Sequence, residues 1–199
     1  MNGFEKRTEE KKQQVLHATF ELMNSNTGIE NVTVEEIVKQ SGVSKATIFK
    51  YFGNKENLIS EVFKDFLNRM GDTARQIMKE NRPFEETIIA MSKNKIHFFE
   101  KVNKRFYIDL MDHVTQKKDD DLSTLMEEYS KESFTIMLDL FHRGRKEGKV
   151  ALKYSDEFLL LYFEALVEGI SNPRIYAKIM PYTQEWTEMI LKGIAPDEG

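Results

Sequence analysis

The stretch from Thr33 to Lys55, TVEEIVKQSGVSKATIFKYFGNK, limits the fold more than any other, because it prescribes two short helices, the corner between them and the start of a third. Thr33 precedes an apolar-periodic run and has Glu36 three residues later. Its hydroxyl can therefore take the amide of the third helical residue while the glutamate reaches back, which is a capping box. The first helix runs to Gln40. Ser41-Gly42-Val43 makes the corner, with Gly42 able to enter the left-handed region without a Cβ clash. Ser44 can cap the second helix and Asn54 the third. Val43, Ile48 and Phe52 recur near helical spacing and can pack on Ile37 and Val38. Lys45, Ala46, Thr47, Phe49, Lys50 and Tyr51 are left for another face. Residues 37–55 hold four lysines (39, 45, 50 and 55) and no acid, although the chain carries −4 overall. Such local positive charge suits the phosphates of a nucleic acid. Lys55 and the first amides of the third helix could clamp one phosphate. The competing reading is a helical hairpin that packs on a neighbour and binds nothing.

Within this stretch, GVSKATIFKYFGNKENL at Gly42 to Leu58 resembles the N-terminal DNA-binding region of the TetR/AcrR family of transcriptional regulators. The turn, the aromatic pair and the lysine that follows all keep their places, and with the preceding helix the likeness covers about the first third of the chain. The resemblance implies a helix-turn-helix DNA-binding domain over residues 1–54. In it Lys45, Thr47, Phe49, Lys50 and Tyr51 would face the major groove, with Ser44 and Ala46 on the same surface. Thr33, Tyr51 and Lys55 would hold phosphates. Many relatives have glycine where this chain has Ala46, which bears on how closely the backbone approaches the bases. The resemblance also implies a helical body over residues 55–199 that dimerises through its last two long helices. A small molecule bound in that body would release a repressor from a palindromic operator.

Composition and motifs exclude other classes. With 199 residues and 40% hydrophobic content, the chain can bury a core in a small head and a larger body. It has no cysteine, hence no disulfide, thiol nucleophile or Cys-ligated zinc. The first residues lack the apolar stretch of a signal peptide, and the longest apolar run, Phe158 to Phe163, is far short of a membrane span. The expectation is a soluble, cytoplasmic protein. No phosphate loop, dinucleotide fingerprint, G-x-S-x-G elbow or H-E-x-x-H motif is present, so neither an enzyme nor a cofactor is expected. Asp109 and His113, four apart with Asp112 nearby, form at most a metal half-site, and a helical ion pair is the commoner use of such spacing.

The rest of the chain reads as all-α. Helices are expected from about Lys6 to Met23, from Lys55 to about Asn81 with Pro83 as a stop, over Glu85 to Lys101, and over Lys104 to Val114. Further helices are expected from Leu122 to His142, ending at the Gly144 and Gly148 region, and after Ser155, whose acids Asp156 and Glu157 suit a helix N-terminus. A last helix spans about Thr183 to Lys192. From Phe158 to Ile170 ten of thirteen residues are apolar and surround the helix, which calls for cover on two sides. Phe158, Tyr162, Leu166, Ile170, Trp186 and Ile190 are the expected homodimer contacts, with a monomeric central helix as the alternative. Methionines and aromatic rings of the middle helices suit an adaptable pocket for an apolar or amphipathic ligand, with Phe99, Tyr107, Met111, Met137, Phe141 and Tyr162 as candidates. Two other readings stay open: a DNA-binding protein of the same type without a small ligand, architectural or protein-co-regulated, and a helical interaction protein that has lost DNA binding.

Overall fold

The computed structural model describes residues 3–115, 120–171, 175 and 178–197, and every regular element among them is helical. The α-helices are α1 (Gly3–Met23), α2 (Val34–Ser41), α3 (Lys45–Phe52), α4 (Lys55–Lys79), α5 (Phe84–Glu100), α6 (Lys104–Thr115), α7 (Asp120–Lys146), α8 (Asp156–Ser171) and α9 (Thr183–Ile194). Short 3-10 turns lie at Gly28–Asn31 and Met180–Tyr182. The chain divides into two compact units, Met1–Arg69 with Lys101–Met126, and Met70–Glu100 with Glu127–Gly199. The division falls inside α4 and α7, so each of these helices contributes residues to both units.

The first unit packs α1 to α3, the front of α4 and α6 around aromatic side chains. Phe63 and Phe106 are fully buried, with ring centroids 5.3 Å apart in an edge-on arrangement, and Phe20 approaches Phe106 at 5.2 Å. Burying one such ring stabilises the fold by ~1.5–3 kcal/mol, and the edge-to-face geometry adds ~0.5–1.5. Thr19 is buried among them without penalty because its hydroxyl donates to the Val15 carbonyl at 2.8 Å.

Residues 28–31 form a short 3-10 turn. Gly28 has φ +59°, and the amide of Ile29 donates to Asp109 Oδ2 at 2.9 Å. Arg105 Nε donates to Asp109 Oδ1 at 2.8 Å and its terminal nitrogen to Glu30 Oε1 at 2.8 Å. Beside this cluster the Asn103 amide donates to Asn24 Oδ1 at 2.5 Å, and Asn103 Nδ2 donates to Asn26 Oδ1 at 2.8 Å. The start of α6 is thereby tied to the α1–α2 connection. Both oxygens of the buried Asp109 are engaged, which accounts for this residue without a metal. Among the described residues no group of three or more His, Asp or Glu side chains could hold one.

The second unit is built on Phe84, Leu140, Phe141, Val150, Leu159 and Ile194. Helix α7 runs four residues past the expected end, through Gly144 to Lys146. The glycine serves packing rather than termination, since a Cβ there would lie 2.6 Å from Val150 Cγ2 and 3.0 Å from the Phe84 ring. Gly71 lies within the continuous helix α4. Ser155 caps α8, its Oγ accepting from the Phe158 amide at 3.1 Å. Helix α5 is less buried than its apolar content suggests, and Ile89 is exposed.

Candidate nucleic-acid interface

The helix pair at residues 34–52 is fixed by its own local chemistry at both starts and at the corner. Thr33 is extended (φ −112°, ψ 152°); its Oγ1 accepts from the Glu36 amide at 3.2 Å, while the Thr33 amide donates to Glu36 Oε2 at 3.1 Å, completing the capping box. Gly42 closes α2 at φ +68°, its amide donating to the Val38 carbonyl at 3.0 Å. Ser44 Oγ accepts from the Thr47 amide at 3.3 Å and starts α3. Ile37, Val43, Ile48 and Phe52 are buried, which orients α3. Asn54 Oδ1 accepts from the Asn57 amide at 2.7 Å at the head of α4.

With that inner face fixed, Ser44, Lys45, Ala46 and Lys50 are exposed, and Thr47, Phe49 and Tyr51 are half-buried. The Tyr51 ring meets Phe52 edge-on, with centroids 6.3 Å apart. Lys45 lies 5.9 Å from the Phe49 ring centroid and donates to Glu35 Oε1 at 2.9 Å. The hydrogen bond from Lys45 holds the Glu35 carboxyl below its ordinary pKa, so this carboxylate stays charged beside the lysine. Glu35 lies just before the acid-free stretch, and reading that stretch alone missed it. Lys55 Nζ donates to the Val32 carbonyl at 2.8 Å, which brings the start of α4 to the residue preceding Thr33. A lysine ammonium has three N–H donors, so two are left for other acceptors. Thr33 and Lys55, 22 positions apart in sequence, are thus joined through Val32. The sequence pattern contained both residues but not this bridge.

The other candidate residues fall in different places. Met137, Phe141 and Tyr162 line a cavity of about 200 Å³ in the second unit, walled by α5, α7, α8 and α9. Leu166, Ile170, Trp186 and Ile190, expected at a dimer contact, line the same cavity. Tyr107 and Met111 belong to the first unit and are not among its lining, and the Phe99 side chain lies outside the described residues. On α8, Phe158 is 51% exposed and Leu161 56%, and the rings of Tyr154, Phe158 and Tyr162 stack in series at 5.5 and 6.4 Å. No described helix is long and apolar enough to cross a membrane.

A capped helix pair with a tight left-handed corner, carried by a larger all-helical chain, defines the helix-turn-helix class. Residues 15–62 match the model for bacterial regulatory proteins of the tetR family. The fold agrees over more than nine-tenths of the chain. The crystal structure of regulatory protein TetR from Rhodobacter sphaeroides superposes with a TM-score of 0.70, covering 92% of this chain and 98% of that one at 16% identity. Reduced NemR from E. coli gives 0.68, covering 95% and 100% at 14% identity. Over residues 15–62 the chain is thus similar to bacterial regulatory proteins of the tetR family, and it shares the fold of solved regulators of that family. Among curated relatives, the nucleoid occlusion factor SlmA of Glaesserella parasuis is 30% identical over 86 residues, 43% of this chain. The chain spans 41% of the length of that relative.

Proposed function

We propose that the protein is a cytoplasmic transcriptional repressor that binds a palindromic DNA operator as a homodimer and is released by a small-molecule ligand. The observation that carries DNA binding is the division of α3, whose inner side chains are buried while its outer face presents lysines, hydroxyls and aromatic rings. Lys45 and Lys50 can donate to guanine or phosphate oxygens. The Thr47 methyl and the Phe49 ring suit thymine methyl groups. Thr33, Tyr51 and Lys55 would hold phosphates at the edge of the groove, the bridge through Val32 fixing two of them. Ser44 and the small Ala46 let the start of α3 approach the bases.

One such head reads too few base pairs for specificity, and a two-fold dimer reads two half-sites whose centres lie about 34–36 Å apart or a multiple of it. The exposed rings of α8 supply apolar area for that contact. Release requires that a ligand bind the DNA-incompetent state more tightly than the competent one, and coupling of ~1–3 kcal/mol is typical. Helix α4 is suited to transmit it, because its first residue is the phosphate-side Lys55 and its later turns belong to the second unit.

A salt-titrated gel shift on DNA flanking its own gene tests the reading. Lys55→Ala is expected to weaken binding to all sequences alike and to reduce the salt slope by about 1. An unchanged slope removes Lys55 from the phosphate contacts, and no salt-dependent binding by the wild type refutes DNA binding. The nucleoid occlusion factor among the relatives favours a second reading, DNA binding without a small ligand. Specific DNA binding that no small molecule disturbs would select it.

A further inference from the structure

The cavity of the second unit is apolar apart from one charge. Among the described residues lining it there is no Asp or Glu, and Lys95 of α5 is the sole ionic side chain. Most of the hydroxyls there are accounted for. Thr187 Oγ1 lies 2.8 Å from the Thr183 carbonyl and 3.0 Å from Ser92 Oγ, and Thr183 Oγ1 donates to the Met180 carbonyl at 2.8 Å. Two donors are left over. No carboxylate among the described residues pairs with Lys95, and the buried Trp186 Nε1 has no hydrogen-bond partner among them. Lys95 is exposed at the edge of this lining, and the protein packed around it pushes its ammonium pKa down. A buried indole N–H without an acceptor is unfavourable, and an anion bound beside Lys95 would bring an acceptor to donors that the fold leaves open.

We propose that this cavity binds a small monocarboxylate with an apolar chain, its carboxylate on Lys95 and its chain against Ile88, Met137, Phe141 and Leu166. The inference rests on the ligand-release reading and gives that ligand a chemical class. Charge sets the class: an amine would meet Lys95 with like charge, and a neutral alcohol would leave the ammonium without an anion. Volume sets the size, since about 200 Å³ lies below the ~300–1,000 Å³ of sites for drug-sized molecules and selects a short to medium chain. Trp186 offers a second donor in the same cavity.

Trp186 is the only tryptophan in the chain, so its fluorescence reports on the cavity directly. Octanoate titrated into the full-length protein is expected to change that fluorescence saturably, with octanol and octylamine binding about tenfold more weakly or worse, the loss expected for one charge-assisted hydrogen bond. Lys95→Met is expected to lower octanoate affinity by a similar factor and leave octanol affinity unchanged, while Lys95→Arg retains octanoate binding. Thermal melts of both variants verify folding. Equal affinity for octanoate and octanol, no saturable response to octanoate, or full octanoate affinity in folded Lys95→Met overturns the proposal. The two readings separate in a gel shift on the same samples. Octanoate binding through Lys95 with DNA retained keeps this site and removes the release mechanism, whereas DNA release by octanol or octylamine alone keeps the mechanism and removes this site.

Discussion

Replacing Gly28 by alanine tests whether the α1–α2 turn is clamped by α6 or merely lies beside it. A Cβ on Gly28 would stand 2.0 Å from Asp109 Oδ2 and 2.6 Å from Arg105 Cγ, and φ is +59°. Two costs combine. The left-handed backbone costs a residue with a Cβ ~1–2 kcal/mol. Moving the Asp109 carboxylate off the Ile29 amide loses a hydrogen bond to a charged group, ~1.5–3 kcal/mol. The Arg105 ion pair adds little, because the Arg105 side chain is 35% exposed and can follow the carboxylate. The expected destabilisation is about 2.5–5 kcal/mol. Gly42→Ala separates the two costs, since Gly42 has a similar φ of +68° with nothing within 4 Å of its Cβ position. That variant should lose only about 1–2 kcal/mol. Urea unfolding followed by circular dichroism measures both, and the double variant Gly28→Ala with Asp109→Ala should show strong non-additivity because both changes act on one contact. If Gly28→Ala and Gly42→Ala agree within about 0.5 kcal/mol, the clamp contributes no stability and the reasoning fails.

Three further outcomes are expected. Glu35→Gln removes the carboxylate that holds Lys45 and should raise DNA affinity about two- to fivefold at low salt, the range of an exposed ion pair; anisotropy titrations showing equal or weaker binding would contradict a phosphate or base role for Lys45. Phe158→Arg places a charge in the exposed ring stack of α8 and should shift sedimentation from dimer to monomer without changing the melting temperature of the monomer; a persistent dimer locates the contact elsewhere. Asp156 is held below its ordinary carboxyl pKa by its bonds from His142, at 2.7 Å, and Arg145. Its contribution is therefore complete above about pH 4 and is lost as the pH falls through the depressed folded value, so wild type and Asp156→Asn should differ at neutral pH and converge in acid. A gap that widens in acid melts would reverse the sign of this linkage.

The sequence by itself determined the elements whose causes are local. The capping box at Thr33 and Glu36, the left-handed Gly42, and the caps at Ser44, Asn54 and Ser155 each act over three or four residues, so residue type and spacing suffice to place them. The outer face of α3 was legible for the same reason, because helical periodicity assigns Ile48 and Phe52 inward and leaves Lys45, Lys50 and their neighbours outward. Tertiary structure decided whatever depends on residues brought together from afar. Asp109, whose spacing from His113 suits an ion pair within its own helix or at most a metal half-site, receives the Ile29 amide from 80 positions away. Gly144, read as a break, is a space for Phe84 and Val150. Lys55 reaches the Val32 carbonyl, and Lys45 is taken by Glu35 from the neighbouring helix. Apolar pattern alone could not divide Trp186, Leu166 and Tyr162 between a dimer face and a cavity wall, since hydrophobicity states that a side chain needs cover and carries no direction. Which neighbour supplies the cover, and which donors such as Lys95 and Trp186 Nε1 remain without a partner, is settled only when the helices pack.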